Sequence, residues 1–237
     1  MLEGYAALVK TLGVLGGMSW TSTAEYYRLL NEGVAARRGG LHSAPLLLHS
    51  VDFAKVARLQ REDRWEDAGE LLSDAARGLE RAGAGALLLA TNTMHKVADR
   101  IGEAVDVPLL HIADTVGERI RKAGLTRAGL LATAFTMEQA FYRERLARWG
   151  VEVTVPNTRD RAEVHRVIFE ELCRNTVRED SRATYRRVMG DLVDGGAEGI
   201  ILGCTEITLL VGPEDVSVPV FDTTRIHVEA ALDWLLA

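Results

Sequence analysis

The chain has few of the residues that anchor cofactors or cross-links. Two cysteines, Cys173 and Cys204, occur in 237 residues, too few for a disulfide framework. The N-terminal stretch is apolar but lacks the basic start and small-residue cleavage site of an export signal, so a reducing, cytoplasmic setting is expected. Lysines number four, Lys10, Lys55, Lys96 and Lys122. None falls at a strand-end site, so a lysine-bound aldehyde cofactor has no support. The six histidines, His42, His49, His95, His111, His165 and His227, lack metal-ligand spacing, and no metal is expected. No apolar run reaches the length of a membrane span. A net charge of −6 excludes the basic surface of a nucleic-acid-binding protein.

What the chain does have is alternation. Short apolar runs at 12–15, 45–49, 86–90, 108–112, 128–132, 152–155, 199–202 and 219–221 read as strands. Amphipathic stretches such as 22–37, 65–82, 137–149, 162–174 and 182–195 read as helices. Nearly continuous apolar strands alternating with helices indicate an α/β fold with parallel sheets. A long internal repeat sets the architecture. GVLGGMSWTSTAEYYRLL from Gly13 aligns without gaps to GLLATAFTMEQAFYRERL from Gly129, and AGAGALLLAT from Ala82 aligns to GGAEGIILGC from Gly195. The offsets are 116 and 113 residues. Two similar α/β domains are expected, related by a pseudo-twofold around a central cleft. The second alignment sets Thr91 against Cys204 at the ends of equivalent strands, where open α/β sheets bind ligands.

Several residues could carry chemistry. Cys204 follows the apolar run ending in Leu202-Gly203 and precedes polar residues where a helix should begin; a thiol there is either a reactive thiolate stabilised by the helix N-terminus or a buried structural group. Cys173 sits at core spacing from Phe169 and reads as structural. Thr91-Asn92-Thr93 can cup a small anion, cap the next helix, or both. His95 is a base or a helix-surface histidine. The glycine turn Gly16-Gly17-Met18-Ser19 leads into a helix with Ser19, Ser22 and Thr23 near its start, and its repeat partner carries Thr133 and Thr136. Such turns suit a carboxylate. Glu206 is a proton relay, a ligand for a substrate ammonium, or a first-turn charge.

Taken in order, Gly16-Gly-Met-Ser19, Asn92-Thr93 with His95, Gly203-Cys-Thr-Glu206 and Val218-Pro-Val-Phe-Asp-Thr-Thr224 resemble the aspartate/glutamate racemase family, from about Lys10 to Ala237. The resemblance implies two α/β domains, the first (1–112 plus 217–237) completed by the C-terminal segment, the second spanning 113–216. It implies a cofactor-independent isomerase of amino-acid metabolism, commonly dimeric, that moves an α-proton between two cysteines. On this sequence the catalytic pair would be Cys204 and Thr91. The substrate, an acidic or neutral amino acid, would meet Met18, Ser19, Ser22, Thr23, Asn92, Thr93, Thr133, Thr136, Thr205 and Glu206. The family's first cysteine is replaced by Thr91, and Glu170 and Glu171 stand where a lysine is frequent. These departures point to the subgroup with a Thr/Cys pair and to preference for one enantiomer. A single-cysteine decarboxylase or isomerase of the same fold, and a small-molecule binder, remain open alternatives.

Overall fold

The computed structural model describes residues 10–237. The sequence before Lys10, read as leading into the first strand without an export signal, lies outside the described residues. The chain runs β1 (Leu12–Gly16), α1 (Trp20–Arg38), β2 (Leu46–Ser50), α2 (Phe53–Arg61), α3 (Trp65–Arg81), β3 (Ala86–Leu89), α4 (Ala98–Glu103), β4 (Leu109–Leu110) and α5 (Ile112–Lys122). It continues β5 (Arg127–Ala132), α6 (Ala134–Glu138), α7 (Ala140–Ala147), β6 (Glu152–Thr154), α8 (Thr158–Glu170), α9 (Glu179–Asp194), β7 (Ile200–Gly203), β8 (Val220–Asp222) and α10 (Thr223–Leu236). The strands form two four-stranded sheets, ordered β2-β1-β3-β4 and β6-β5-β7-β8, with every pairing parallel. Shifted by the repeat offset, the two orders are the same. The segments aligned in sequence are β1 with β5 and β3 with β7, the central strands of each sheet.

The described residues up to Ala90, with Val97–Leu110 and Val228–Ala237, form one compact unit; Thr91–Lys96 and His111–His227 form the other. The return to the first domain expected at 217 is therefore displaced to Val228. The cause is β8, which pairs with β7 through Ile200 opposite Val220 and Leu202 opposite Asp222.

Each unit is built by the same logic. In the first, Tyr26, Leu30 and Val34, one turn apart on α1, pack with α10 on Leu12 and Val14 of β1 and Ala86 and Leu88 of β3. In the second, Ile112, Val116 and Ile120 of α5 and Val164, Val167 and Ile168 of α8 join the core around β5 and β7. A Cβ on Gly13 would lie 2.9 Å from the Ala84 Cβ and 3.3 Å from the Leu79 Cβ of α3. One on Gly129 would lie 2.9 Å from the Leu192 side chain of α9. Both sheets thus take a helix against a central strand where a side chain is missing, which accounts for the glycine that opens each repeat.

The sequence differs from the structure at helix ends. The helix expected over 137–149 is two, α6 and α7, separated by Gln139 in an extended conformation. That expected over 162–174 begins at Thr158, because the Asn157 side chain accepts the Asp160 N–H at 3.0 Å. It ends at Glu170 and is followed by a 3-10 turn, Leu172–Arg174. Helices α2, α4, α5 and α10 were not among the stretches singled out.

The Tyr142 hydroxyl is fully buried and has no hydrogen-bond partner among the described residues. Burial without a partner costs about 1–3 kcal/mol. Tyr142→Phe should therefore leave stability to urea unchanged or raise it by about 1 kcal/mol. A clear loss would show that the hydroxyl has a partner in solution.

Candidate active site

Strands β3 and β7 are buried along their whole length, so polar side chains appear only where they end. After β3 come Thr91, Asn92 and a 3-10 turn, Thr93–Val97; after β7 come Cys204 and a 3-10 turn, Thr205–Leu209. The long helix expected after Cys204 is replaced by that five-residue turn, so no aligned stack of peptides stands behind the sulfur to stabilise a thiolate. The expectation of a helix-activated thiolate is corrected accordingly.

The neighbour of the sulfur is a carboxylate. Cys204 Sγ donates to Glu206 Oε2 at 3.0 Å, and Glu206 is buried. Burial and the adjacent Glu206 charge push the Cys204 thiol well above its ordinary range. Cys173 meets the same carboxylate; burial, then Glu206, pushes its thiol up to about 12. The two cysteines, read from sequence as one reactive and one structural, thus converge on Glu206. A thiol and a carboxylate this close can pass one proton between them, giving a thiolate beside a neutral acid without changing the charge of the pair.

Around Asn92 the hydrogen bonds fix an orientation. Thr223 Oγ1 donates to the Leu202 carbonyl at 2.9 Å, so it must accept from Asn92 Nδ2, which lies 3.0 Å away. This sets the amide, and Asn92 Oδ1 is left buried with no partner among the described residues. A buried, unpaired acceptor suits a ligand N–H such as an ammonium. Nearby in sequence, Thr93 Oγ1 lies 3.1 Å from both Thr133 and Thr136, which are 3.3 Å apart. Three buried hydroxyls in mutual contact can all turn their protons towards one carboxylate. The Ala134 N–H donates to His165 Nδ1 at 3.1 Å, anchoring the turn that carries them. Thr205 Oγ1 contacts Thr224 Oγ1 at 3.1 Å.

His95 is buried and fully engaged: Nε2 accepts the Ile112 N–H at 3.1 Å and Nδ1 lies 2.7 Å from the Thr91 carbonyl. Burial, then His111 and His227, holds its pKa well below the usual histidine value. Its acceptor nitrogen is occupied, so the reading of His95 as a base or a surface residue gives way to an internal brace.

Thr91, Asn92, Thr93, Thr133, Thr136, Cys204, Thr205 and Glu206 all belong to the second unit. Met18, Ser19, Ser22 and Thr23 belong to the first. There Ser19 caps α1 by accepting the Ser22 N–H at 3.2 Å. Thr23 Oγ1 accepts the Gly17 N–H and donates to the Ser19 carbonyl, both at 2.8 Å. Thr23 is therefore used by the turn itself. Sequence reasoning missed Cys173, Thr223, Thr224 and His165. The Asp-Thr-Thr after the last strand was a visible signal for two of them; nothing in the sequence places Cys173 against Glu206.

Two all-parallel sheets of one strand order, with proton-transfer groups at a central strand end, define the chain as an α/β protein built from a repeated unit. A sequence model of the Asp/Glu/hydantoin racemase family matches residues 15–231, and the chain belongs to that family, which makes it an isomerase. It is 53% identical to a Yersinia pestis protein described as a candidate Asp/Glu racemase, over 96% of this chain and 100% of that one, with a TM-score of 0.92. An aspartate racemase homologue from Pyrococcus horikoshii is 35% identical over 96% of this chain and 100% of its own, with a TM-score of 0.84. The broad specificity amino-acid racemase RacX of Bacillus subtilis is 24% identical over 95% of this chain and 98% of its own.

The thiol–carboxylate contact has a direct consequence. A neighbouring anion raises a thiol pKa, so replacing Glu206 by a neutral amide lowers it. In Glu206→Gln, alkylation of Cys204 by iodoacetamide, read by peptide mass spectrometry across pH, should move to lower pH. An unchanged or upward-shifted profile would mean that Glu206 does not govern the sulfur.

Proposed function

We propose that the protein is a cofactor-independent racemase of aspartate, glutamate or a related amino acid, of the Thr/Cys subgroup, in which Cys204 removes and returns the α-proton on one face and Thr91 serves the other. The contact between Cys204 and Glu206 carries this reading. Racemisation needs a base that can hold and give back a proton, and a thiol sharing its proton with a buried carboxylate is such a base. An α-proton is far less acidic than a thiol, so the carbanion also needs charge stabilisation. Thr93, Thr133 and Thr136 suit the substrate carboxylate, and Asn92 Oδ1 suits its ammonium. Thr205 and the turn bearing Met18, Ser19, Ser22 and Thr23 complete the proposed substrate set. Binding a cation near Glu206 would also ease formation of the Cys204 thiolate.

Thr91 cannot act as Cys204 does. A threonine hydroxyl is essentially un-ionised at neutral pH, so it donates a proton far better than it removes one. Deprotonation is therefore fast from the Cys204 face and slow from the other, and one enantiomer is preferred. In D2O, α-deuterium should enter one enantiomer of aspartate or glutamate at least about tenfold faster than the other, and Cys204→Ala should abolish this exchange. Equal rates for the two enantiomers, or exchange that survives Cys204→Ala, would overturn the reading. Among the described residues no helix is long and apolar enough to cross a membrane, and a cytoplasmic location is part of the proposal.

A homodimer is proposed as well. Trp20, Tyr27, Leu41 and Leu48 of the first unit are large, apolar and exposed, and Leu48 lies on the edge strand β2. Exposed apolar groups on a sheet edge favour association. Sedimentation equilibrium should give twice the chain mass; a monomer at micromolar concentration would reject this.

A further inference from the structure

His95 is the one histidine bound on both ring nitrogens to backbone at the end of a site strand. The Ile112 N–H points at Nε2, at 3.1 Å, so that nitrogen carries no proton. The proton of the neutral ring is then on Nδ1, which donates to the Thr91 carbonyl at 2.7 Å. Thr91 lies past the last residue of β3 and before the 3-10 turn at Thr93. The bond to His95 fixes the plane of the peptide between Thr91 and Asn92. It thereby sets the backbone that carries both the Thr91 side chain and the Asn92 amide. The far side of the ring is tied to the first residue of α5, and His111 and His227 pack edge-on at 4.6 and 5.8 Å. The Cys204 side has no such brace. The place equivalent to His95 is Thr208, exposed, whose hydroxyl bonds the Thr205 carbonyl at 2.8 Å. A hydroxyl that only donates must be placed well to act, whereas a thiol with its own carboxylate carries its partner with it.

We infer that His95 is a positioning residue for Thr91: a neutral brace between the Thr91 carbonyl and the start of α5 that aims the weaker of the two proton-transfer groups. This rests on the proposed role of Thr91. It assigns His95 no proton to move and no contact with substrate.

Two conservative variants separate the two bonds. In His95→Asn the amide nitrogen falls where Nδ1 was, keeping the bond to Thr91 and losing that to Ile112. In His95→Gln the amide oxygen falls near Nε2, keeping the Ile112 bond and losing Thr91. Each leaves one buried backbone group unpaired, so general loss of structure affects both. The readout is α-deuterium entry from D2O into each enantiomer separately. His95→Gln should slow exchange on the Thr91-dependent face by about tenfold or more, in line with the cost of misplacing a reacting group, and leave the Cys204 face within about twofold of wild type. His95→Asn should restore most of the loss. Equal slowing of both faces by His95→Gln, or equal behaviour of the two variants, overturns the inference. Thr91→Val is the control: if it changes neither face, the reading of Thr91 fails and the brace with it, whereas an impaired Thr91→Val beside an unaffected His95→Gln overturns the brace alone. Nitrogen-15 NMR of the wild-type ring gives a measurement independent of any variant. An Nδ1–H tautomer at neutral pH is expected, and an Nε2–H tautomer overturns the assignment.

Discussion

A parallel strand covered on both faces has nowhere to put a polar side chain except its end. That constraint orders the whole molecule. β3 and β7 are buried at every position, and their carbonyl and amide groups are used by neighbouring strands. Chemistry is thereby confined to the few residues between each strand and the turn after it, 91–95 in one half and 204–206 in the other. The helices are fitted to leave those ends clear, and the missing side chains at Gly13 and Gly129 let α3 and α9 close on the strands without disturbing them. Rigid sheets with loaded ends are a good base for proton transfer, which depends on distances held to fractions of an ångström.

The two halves use this common frame unequally. At Cys204 the working group comes with its own acceptor two residues away, and the local arrangement is nearly self-sufficient. At Thr91 the group is chemically weaker and its surroundings are more elaborate: an oriented amide at Asn92, a set of touching hydroxyls at Thr93, Thr133 and Thr136, and a buried ring at His95. The duplicated fold thus holds two differently built ends, one relying on the reactivity of sulfur and the other on placement.

The sheets were legible because burial on both faces leaves a plain mark in sequence: all eight apolar runs coincide with observed strands to within a residue or two at each end. The repeat was legible because Gly13 and Gly129 answer the same packing need. Helix ends were less so, since they depend on contacts such as the Asn157 cap, and α5 and α10 begin directly from strands without a turn signal. The site was legible as a set of residue types at strand ends, confirmed in placement for Asn92, Thr93, Thr133 and Thr136, which gather in one unit. What no sequence reading supplied was pairing. That Cys173 faces Glu206, that Thr223 turns the Asn92 amide, and that His95 has both nitrogens occupied all follow from contacts between residues far apart in the chain.

The contact between Cys204 and Glu206 also bears on durability. Peroxide attacks the thiolate and not the thiol, and over-oxidised sulfur is not recovered by ordinary reductants. A sulfur whose proton is held by a buried carboxylate, with its ionisation pushed far up, presents little thiolate to an oxidant. The arrangement that makes the proton shareable within the site therefore shields the one sulfur on which the proposed reaction depends from irreversible chemical ageing.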